Sequence, residues 1–222
     1  MLLDWSNIDT VLLDMDGTLL DLHFDNYFWL THLPTRYAEH FNLDPAVVTP
    51  QIHDRLIARR GTLKWYSTDF WSSEFGLDII ALKGEIKHLI NERPQALELL
   101  RTLAARGKKL LLVTNADRKS IQLKFSQTAL AEHFDHVVSS QDYGYAKEQP
   151  EFWHALKSHI DFNPTKALFI DDSEAVLNSA HRYGIAYLRS ISQPDSQQRS
   201  SQNSQFGTIE SFQDLFSPER GV

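Results

Sequence analysis

The chain has 222 residues, of which 22 are basic and 29 acidic, for a net charge of −7. That balance leaves no electrostatic footprint for a nucleic-acid polymer or an anionic membrane as the main partner, although a local site can still draw a small anion. With no cysteine, disulfides, thiolate metal sites and a cysteine nucleophile are excluded, and no apolar run approaches the ~20 residues of a membrane span.

The first residues, Met1-Leu2-Leu3-Asp4-Trp5, carry an acid where a secretory signal would be basic, so a cytoplasmic location is expected. Residues 10–13 form an apolar run that ends in acids and a glycine, the pattern of a buried strand stopping at Asp14. From residue 22 to residue 90 the periodicity is helical, with helices expected over 26–41, 45–60, 63–75 and 77–90. Eleven of the chain's 25 aromatic residues fall there, which predicts an apolar core belonging to that stretch. Beyond it, strands at 109–113, 136–138, 167–170 and 185–188 alternate with helices over 94–106, 117–129, 150–160 and 173–183. Pro94 and Pro150 suit first helical turns, while Gly107 and Gly184 suit helix ends. Such alternation implies an α/β fold, a parallel sheet covered on both faces. Its core spans residues 1–20 and 91–222, and residues 21–90 form a helical insertion. Residues 192–205 hold ten Ser or Gln and read as a mobile loop, and 208–216 as a short closing helix. There is no internal repeat.

Ligands of open α/β sheets bind beyond the carboxyl ends of the strands. Asp14-Met15-Asp16-Gly17-Thr18 comes after the first strand, Thr114-Asn115 after the second and Asp171-Asp172 after the fourth, with Lys147 just before the Pro150 helix. Carboxylates, a hydroxyl and an ammonium gathered at one edge suit the cleavage of a phosphate monoester. The substrate repels nucleophiles by its own charge, and clustered carboxylates would add to that repulsion without a hard cation. Oxygen-only ligands suit Mg²⁺, which keeps several waters and binds the substrate phosphate. Asp14 is then the candidate nucleophile and Asp16, two residues on, the acid and base. Gly17 permits a sharp turn. Thr114, with Asn115 beside it, and Lys147 are the candidate phosphate-binding groups.

These four segments, in this order, resemble the motifs of the haloacid dehalogenase-like hydrolases. More closely, residues 12–29, 62–79 and 169–177 resemble the GMP/IMP nucleotidase branch of that superfamily. The resemblance implies a Rossmann-like core with an inserted helical cap domain over residues 21–90. It implies Asp14 as nucleophile and direct Mg²⁺ ligand, and Asp16 as acid/base residue giving its backbone carbonyl to the metal. Asp172 would be a direct ligand, Asp171 would assist, often through water, and Thr114 and Lys147 would hold the phosphoryl group. The substrate implied is a small phosphate monoester, a purine nucleotide cleaved to nucleoside and phosphate. One departure is that Glu148 and Gln149 separate Lys147 from Pro150, where the family often has proline directly after the lysine.

Plainer readings stand beside these. A lone Asp-x-Asp-Gly is usually a turn, Thr114 and Asp171-Asp172 can cap helices, and an isolated lysine is usually solvated. Aromatics at helical spacing are more often core than ligand contacts, though Tyr27, Trp29, Trp65, Tyr66 and Trp71 are candidates to stack on a purine. Arg36, Arg55, Arg59, Arg60 and Lys64 read as solvated faces from which one residue touches substrate at most. The ten histidines show no metal-ligand spacing. The same four motifs also serve a sugar-phosphate phosphatase or phosphomutase. More distant readings are a dehalogenase, which needs neither Mg²⁺ nor an acid at position 16, and a signalling domain phosphorylated on aspartate, whose paired acids come after the first strand.

Overall fold

The computed structural model describes residues 3–200 and 204–216. Six parallel strands form one sheet in the order β3-β2-β1-β4-β5-β6. They are β1 (Thr10–Leu13), β2 (Lys109–Thr114), β3 (His136–Ser139), β4 (Ala167–Asp171), β5 (Tyr187–Ile191) and β6 (Thr208–Ile209). This is a Rossmann-like order, and its direction reverses between β1 and β4. The two strands run in register, Leu12 beside Phe169 and Leu13 beside Ile170.

Period-two alternation sorts the strand residues between two apolar layers. Val11, Leu13, Leu110, Leu112, Leu168 and Ile170 face one layer, and Leu12, Leu111, Val113 and Phe169 face the other. The central strands β1, β2 and β4 are apolar on both faces because both faces are buried, which explains their continuous hydrophobic runs. The helices α6 (Ala96–Ala105) and α7 (Arg118–Phe125) pack on the first face through Leu99, Leu103 and Ile121. On the second face lie α8 (Pro150–His159) and α9 (Glu174–Tyr183), through Phe152, Trp153 and Leu177.

Between β1 and β2 the chain forms α1 (His23–Tyr27), α2 (Leu33–Phe41), α3 (Pro45–Ile57), α4 (Thr68–Phe75) and α5 (Ile79–Glu85). It enters and leaves this insertion side by side. The Asp21 amide donates to the Asn91 carbonyl at 2.9 Å, and the Arg93 amide to the Leu19 carbonyl at 2.8 Å. The expected first helix is divided by a π-helical stretch over Phe28–His32. The third begins instead as a 3-10 turn over Leu63–Tyr66. The fourth is shortened to α5 and a 3-10 turn over Lys87–Leu89.

Four expectations are corrected. The insertion's apolar residues do not form a separate core. Phe24, Phe28, Trp71, Phe75 and Ile79 belong to the same cluster as Leu13, Leu99 and Leu112, because α5 packs against α7, which itself covers that sheet face. Residues 208–216 form β6 and a 3-10 turn over Phe212–Leu215 rather than a closing helix, since Ile209 pairs with Ile191 as a sixth strand. The fifth strand is displaced from 185–188 to Tyr187–Ile191. Of the loop expected at 192–205, the stretch 192–200 is pinned. Pro194 accepts from the Leu22 amide at 3.0 Å, and the buried Asp195 carboxylate accepts from Asn26 at 2.7 Å. Its polar side chains bond its own backbone, as Gln193 does to the Gln198 carbonyl at 2.8 Å, which a count of Ser and Gln cannot foresee. Residues 201–203 lie outside the described residues.

Trp71 anchors the insertion. It is almost wholly buried, stacks on Phe75 at 5.3 Å and donates its indole N–H to the Trp65 carbonyl at 2.8 Å. Trp71→Ala should cost about 3–5 kcal/mol in urea unfolding. A loss below about 1 kcal/mol would mean that the residue is not core.

Candidate active site

The site forms where the strand order reverses. Asp14 comes directly after β1, and its amide donates to the Ile170 carbonyl of β4 at 3.0 Å, so the sheet itself fixes the position. Asp171 ends β4 and Asp172 is the next residue. Carboxylate oxygens of Asp14, Asp171 and Asp172 lie within 4.8 Å of one another. Gly17 makes this approach possible: its φ is +82°, and a Cβ there would lie 2.6 Å from an Asp172 carboxylate oxygen.

Lys147 is the group that binds the cluster together. Its ammonium donates to Asp14 Oδ1 at 2.5 Å, to Asp171 Oδ2 at 2.7 Å and to the Val113 carbonyl at 3.0 Å, with only 2% of the residue exposed. The residues between Lys147 and Pro150 do not displace it. Asn115 accepts from the Lys147 amide at 2.9 Å and donates to Glu148 at 3.0 Å, so its side chain holds the lysine loop in place. Thr114 is buried and accepts from the Ala116 amide at 3.1 Å. The N-cap of α7 is Asp117 rather than Thr114. The other oxygen of Asp171 accepts from the Ser173 amide at 2.8 Å, so both of its oxygens are engaged.

Three carboxylates against one ammonium leave an excess of buried negative charge. Burial pushes Asp14 up to about 7, with Asp171 adding to the rise and Lys147 opposing it. Burial, then the charges of Asp171 and Asp14, raises Asp172 well above the ordinary carboxylate range. Burial likewise raises Asp171 against the pull of Lys147. Burial opposes the charge on Lys147 too, but Asp14 and Asp171 more than reverse it and hold the proton on. The donor set is oxygen only, incomplete as a cage and short of positive charge, which fits a hard divalent cation.

Asp16 points into a different network. Its Oδ1 accepts from Lys124 at 2.5 Å, Lys124 also donates to Asp25 at 2.6 Å, and Asp25 accepts from Lys83 at 2.7 Å. A ladder of four alternating charges therefore runs from α5 of the insertion through α1 and α7 to Asp16. Burial lifts Asp16 to about 6 despite Lys124, while burial of Asp25 is outweighed by Lys124 and Lys83, which hold its carboxyl low. Across the cavity, Tyr66 of the insertion donates to Glu148 at 2.6 Å, and Thr68 bonds Asp117 through its amide (2.6 Å) and hydroxyl (2.5 Å). A cavity of about 560 Å³ lies between the insertion and the sheet edge, with Asp14, Asp172 and Lys147 on its core side and Trp29, Arg60 and Trp65 on the other. All seven residues singled out from the sequence, Asp14, Asp16, Thr114, Asn115, Lys147, Asp171 and Asp172, line it.

Sequence patterns do not single out Lys124, Asp25, Lys83 or Glu148 as parts of this network, and they offer Tyr66 as a base-stacking candidate rather than as the partner of Glu148. Lys124 alone leaves a signal: Ser120, Ile121 and Lys124 share the inward face of α7, and a lysine on such a face needs a buried partner.

A family profile for haloacid dehalogenase-like hydrolases matches residues 8–184. The chain is 39% identical over 192 residues to the GMP/IMP nucleotidase YrfG of Escherichia coli (strain K12), covering 86% of each. It is 26% identical over 174 residues to the pyrophosphatase PpaX of Bacillus cereus (strain G9842), covering 75% of each. Its fold matches a HAD phosphatase from Thermococcus onnurineus with a TM-score of 0.79 at 21% identity, covering 94% of this chain and 96% of that one. The chain belongs to the haloacid dehalogenase-like hydrolase family. It is an enzyme of the phosphoric monoester hydrolase type.

Carboxyls whose folded pKa is raised stabilise the fold below the unfolded value and lose that contribution as pH rises through the folded value. In EDTA the melting temperature should therefore fall between roughly pH 4 and pH 7, and Asp172→Asn should flatten the fall and raise the melting point at neutral pH. An unchanged profile in the variant would contradict the excess of buried negative charge. Lys124→Met should cost roughly 3–5 kcal/mol in urea, because Asp16 and Asp25 are left as buried like charges, and adding Asp25→Asn should recover part of the loss.

Proposed function

We propose that the protein is a magnesium-dependent 5′-nucleotidase that hydrolyses the purine monophosphates GMP and IMP to nucleoside and phosphate. The observation carrying the chemistry is the placement of Asp14, beside Lys147 and facing Asp172, at the point where the strand order reverses. The purine reading draws support from the 39% identity to the E. coli GMP/IMP nucleotidase and from a cavity whose volume suits a nucleotide.

Lys147 holds Asp14 Oδ1, which leaves Oδ2 to attack phosphorus. The bond from Asp14 to phosphorus forms as the bond to the 5′-oxygen breaks, and Asp16 gives its proton to the departing oxygen. Burial keeps Asp16 near 6, so that proton is available close to neutral pH. Asp16 then takes a proton from a water that attacks the aspartyl-phosphate, which frees phosphate and restores Asp14. Thr114 and Lys147, with the Asn115 segment, hold the non-bridging oxygens as charge redistributes. Asp14, Asp172 and the Asp16 carbonyl would hold Mg²⁺, with Asp171 assisting, and the bound ion would supply the charge neutralisation that lets one anion attack another.

In this reading residues 21–90 are a cap domain over a Rossmann-like core formed by residues 1–20 and 91–222. The cap helices close the cavity above the reacting atoms, which keeps bulk water from the aspartyl-phosphate. A cytoplasmic location belongs to the same proposal, since nucleoside monophosphates are made and consumed there.

A phosphate-release panel over nucleoside monophosphates and sugar phosphates should show turnover of GMP and IMP that stops in EDTA and returns with Mg²⁺. Faster turnover of sugar phosphates than of purine nucleotides would reject the substrate. Asp14→Asn should lower turnover by at least about a thousandfold with the fold intact, and residual activity near wild type would remove Asp14 as nucleophile.

A further inference from the structure

Four cations line the cavity: Arg60, Lys83, Lys124 and Lys147. Lys83 and Lys124 are bound to Asp25 and Asp16, and Lys147 to Asp14 and Asp171. Arg60 differs. Among the described residues, its side chain has no hydrogen bond, ion pair or ring contact. It also differs from the other cations of the insertion that read as solvated faces. Arg36 pairs with Glu39 and Glu85, Arg55 pairs with Glu74, and Arg59 and Lys64 lie over the Phe70 ring.

The backbone at Arg60 is anchored even though the side chain is not. Its amide donates to the Ile57 carbonyl at 3.1 Å, the Thr62 amide donates to the Arg59 carbonyl at 3.1 Å, and Gly61 between them turns the chain with φ +75°. This turn leads from the end of α3 into the segment carrying Trp65. Trp29 and Trp65 line the same side of the cavity and both lean on the buried Trp71, at 5.9 Å and 6.5 Å between ring centroids. Two half-buried rings, one tilted and one edge-on against Trp71, offer aromatic surface to a flat base. The Arg60 guanidinium, a planar fork of five N–H donors that nothing among the described residues receives, lines the same cavity.

We propose that Arg60 is a specificity-determining residue that selects 6-oxopurines by donating two hydrogen bonds to O6 and N7 of the base. This deepens the nucleotidase reading and rests on it. Guanine and hypoxanthine present two acceptors side by side at that edge, which match the fork. Adenine presents an amine at C6, a donor facing a donor. A glutamine, with one donor and one acceptor, matches adenine N6 and N7 instead.

The test compares kcat/KM for GMP, IMP and AMP in the wild type, Arg60→Ala, Arg60→Lys and Arg60→Gln. The wild type should prefer GMP and IMP. Arg60→Ala and Arg60→Lys should lose roughly tenfold to a hundredfold on both while AMP changes by less than about threefold, because a lysine keeps the charge but not the fork. Arg60→Gln should move the preference toward AMP, a gain that damage to the fold cannot produce. Equal losses on all three nucleotides, or ratios left unchanged, would overturn the role of Arg60 while leaving the nucleotidase reading in place. A wild type that turns over sugar phosphates but neither GMP nor IMP would overturn both.

Discussion

The fold of this protein is arranged around the contact of Lys147 with Asp14 and Asp171. Three carboxylates meet in a pocket, and a single ammonium bonds two of them, Asp14 and Asp171, together with the Val113 carbonyl. Without it the ends of β1 and β4 would carry unpaired charge at the centre of the sheet, at a cost of several kcal/mol. The strand order creates the place, since β1 and β4 are neighbours whose onward connections leave in opposite directions. The asparagine after β2 and the glutamate after the lysine then hold the Lys147 loop against that edge.

The pocket remains short of positive charge even so. Burial drives Asp14 and Asp172 upward, and the rise marks a site strained by its own composition. Groups that destabilise a protein in this way are retained where function needs them. Asp16 is managed separately: Lys124 takes one of its oxygens, and the ladder through Asp25 to Lys83 ties the same carboxylate to the insertion. The insertion is thus joined to the core by buried charges at one end and by Tyr66 with Glu148 at the other. Both joints end on loops that carry residues of the site.

Much of this was legible in the sequence because short-range patterns carried it. Apolar runs ending in acids marked β1 and β4, and Pro150 with Gly184 marked the limits of α8 and α9. The site residues were legible because the strand ends of a parallel sheet share one edge, so the residues just past each strand are neighbours in space. The remainder was set by tertiary contact. Nothing local announces that Asp25 will meet Lys124, 99 residues away, or that Asp195 will be buried beneath Asn26. The helical insertion is divided more often than periodicity suggests, by a π-helical stretch and two 3-10 turns that the pattern alone does not encode. The strand β6 is two residues long and below the reach of any alternation.

The measurement bearing most directly on this picture is the chemical state of Asp14 during the first turnover. Enzyme mixed rapidly with Mg²⁺ and phosphorus-labelled GMP, quenched in acid and digested, should carry the label on the peptide containing Asp14, and hydroxylamine should release it, as expected of an acyl phosphate. Label on another side chain, or phosphate formed with no labelled peptide at any time point, would contradict attack by Asp14.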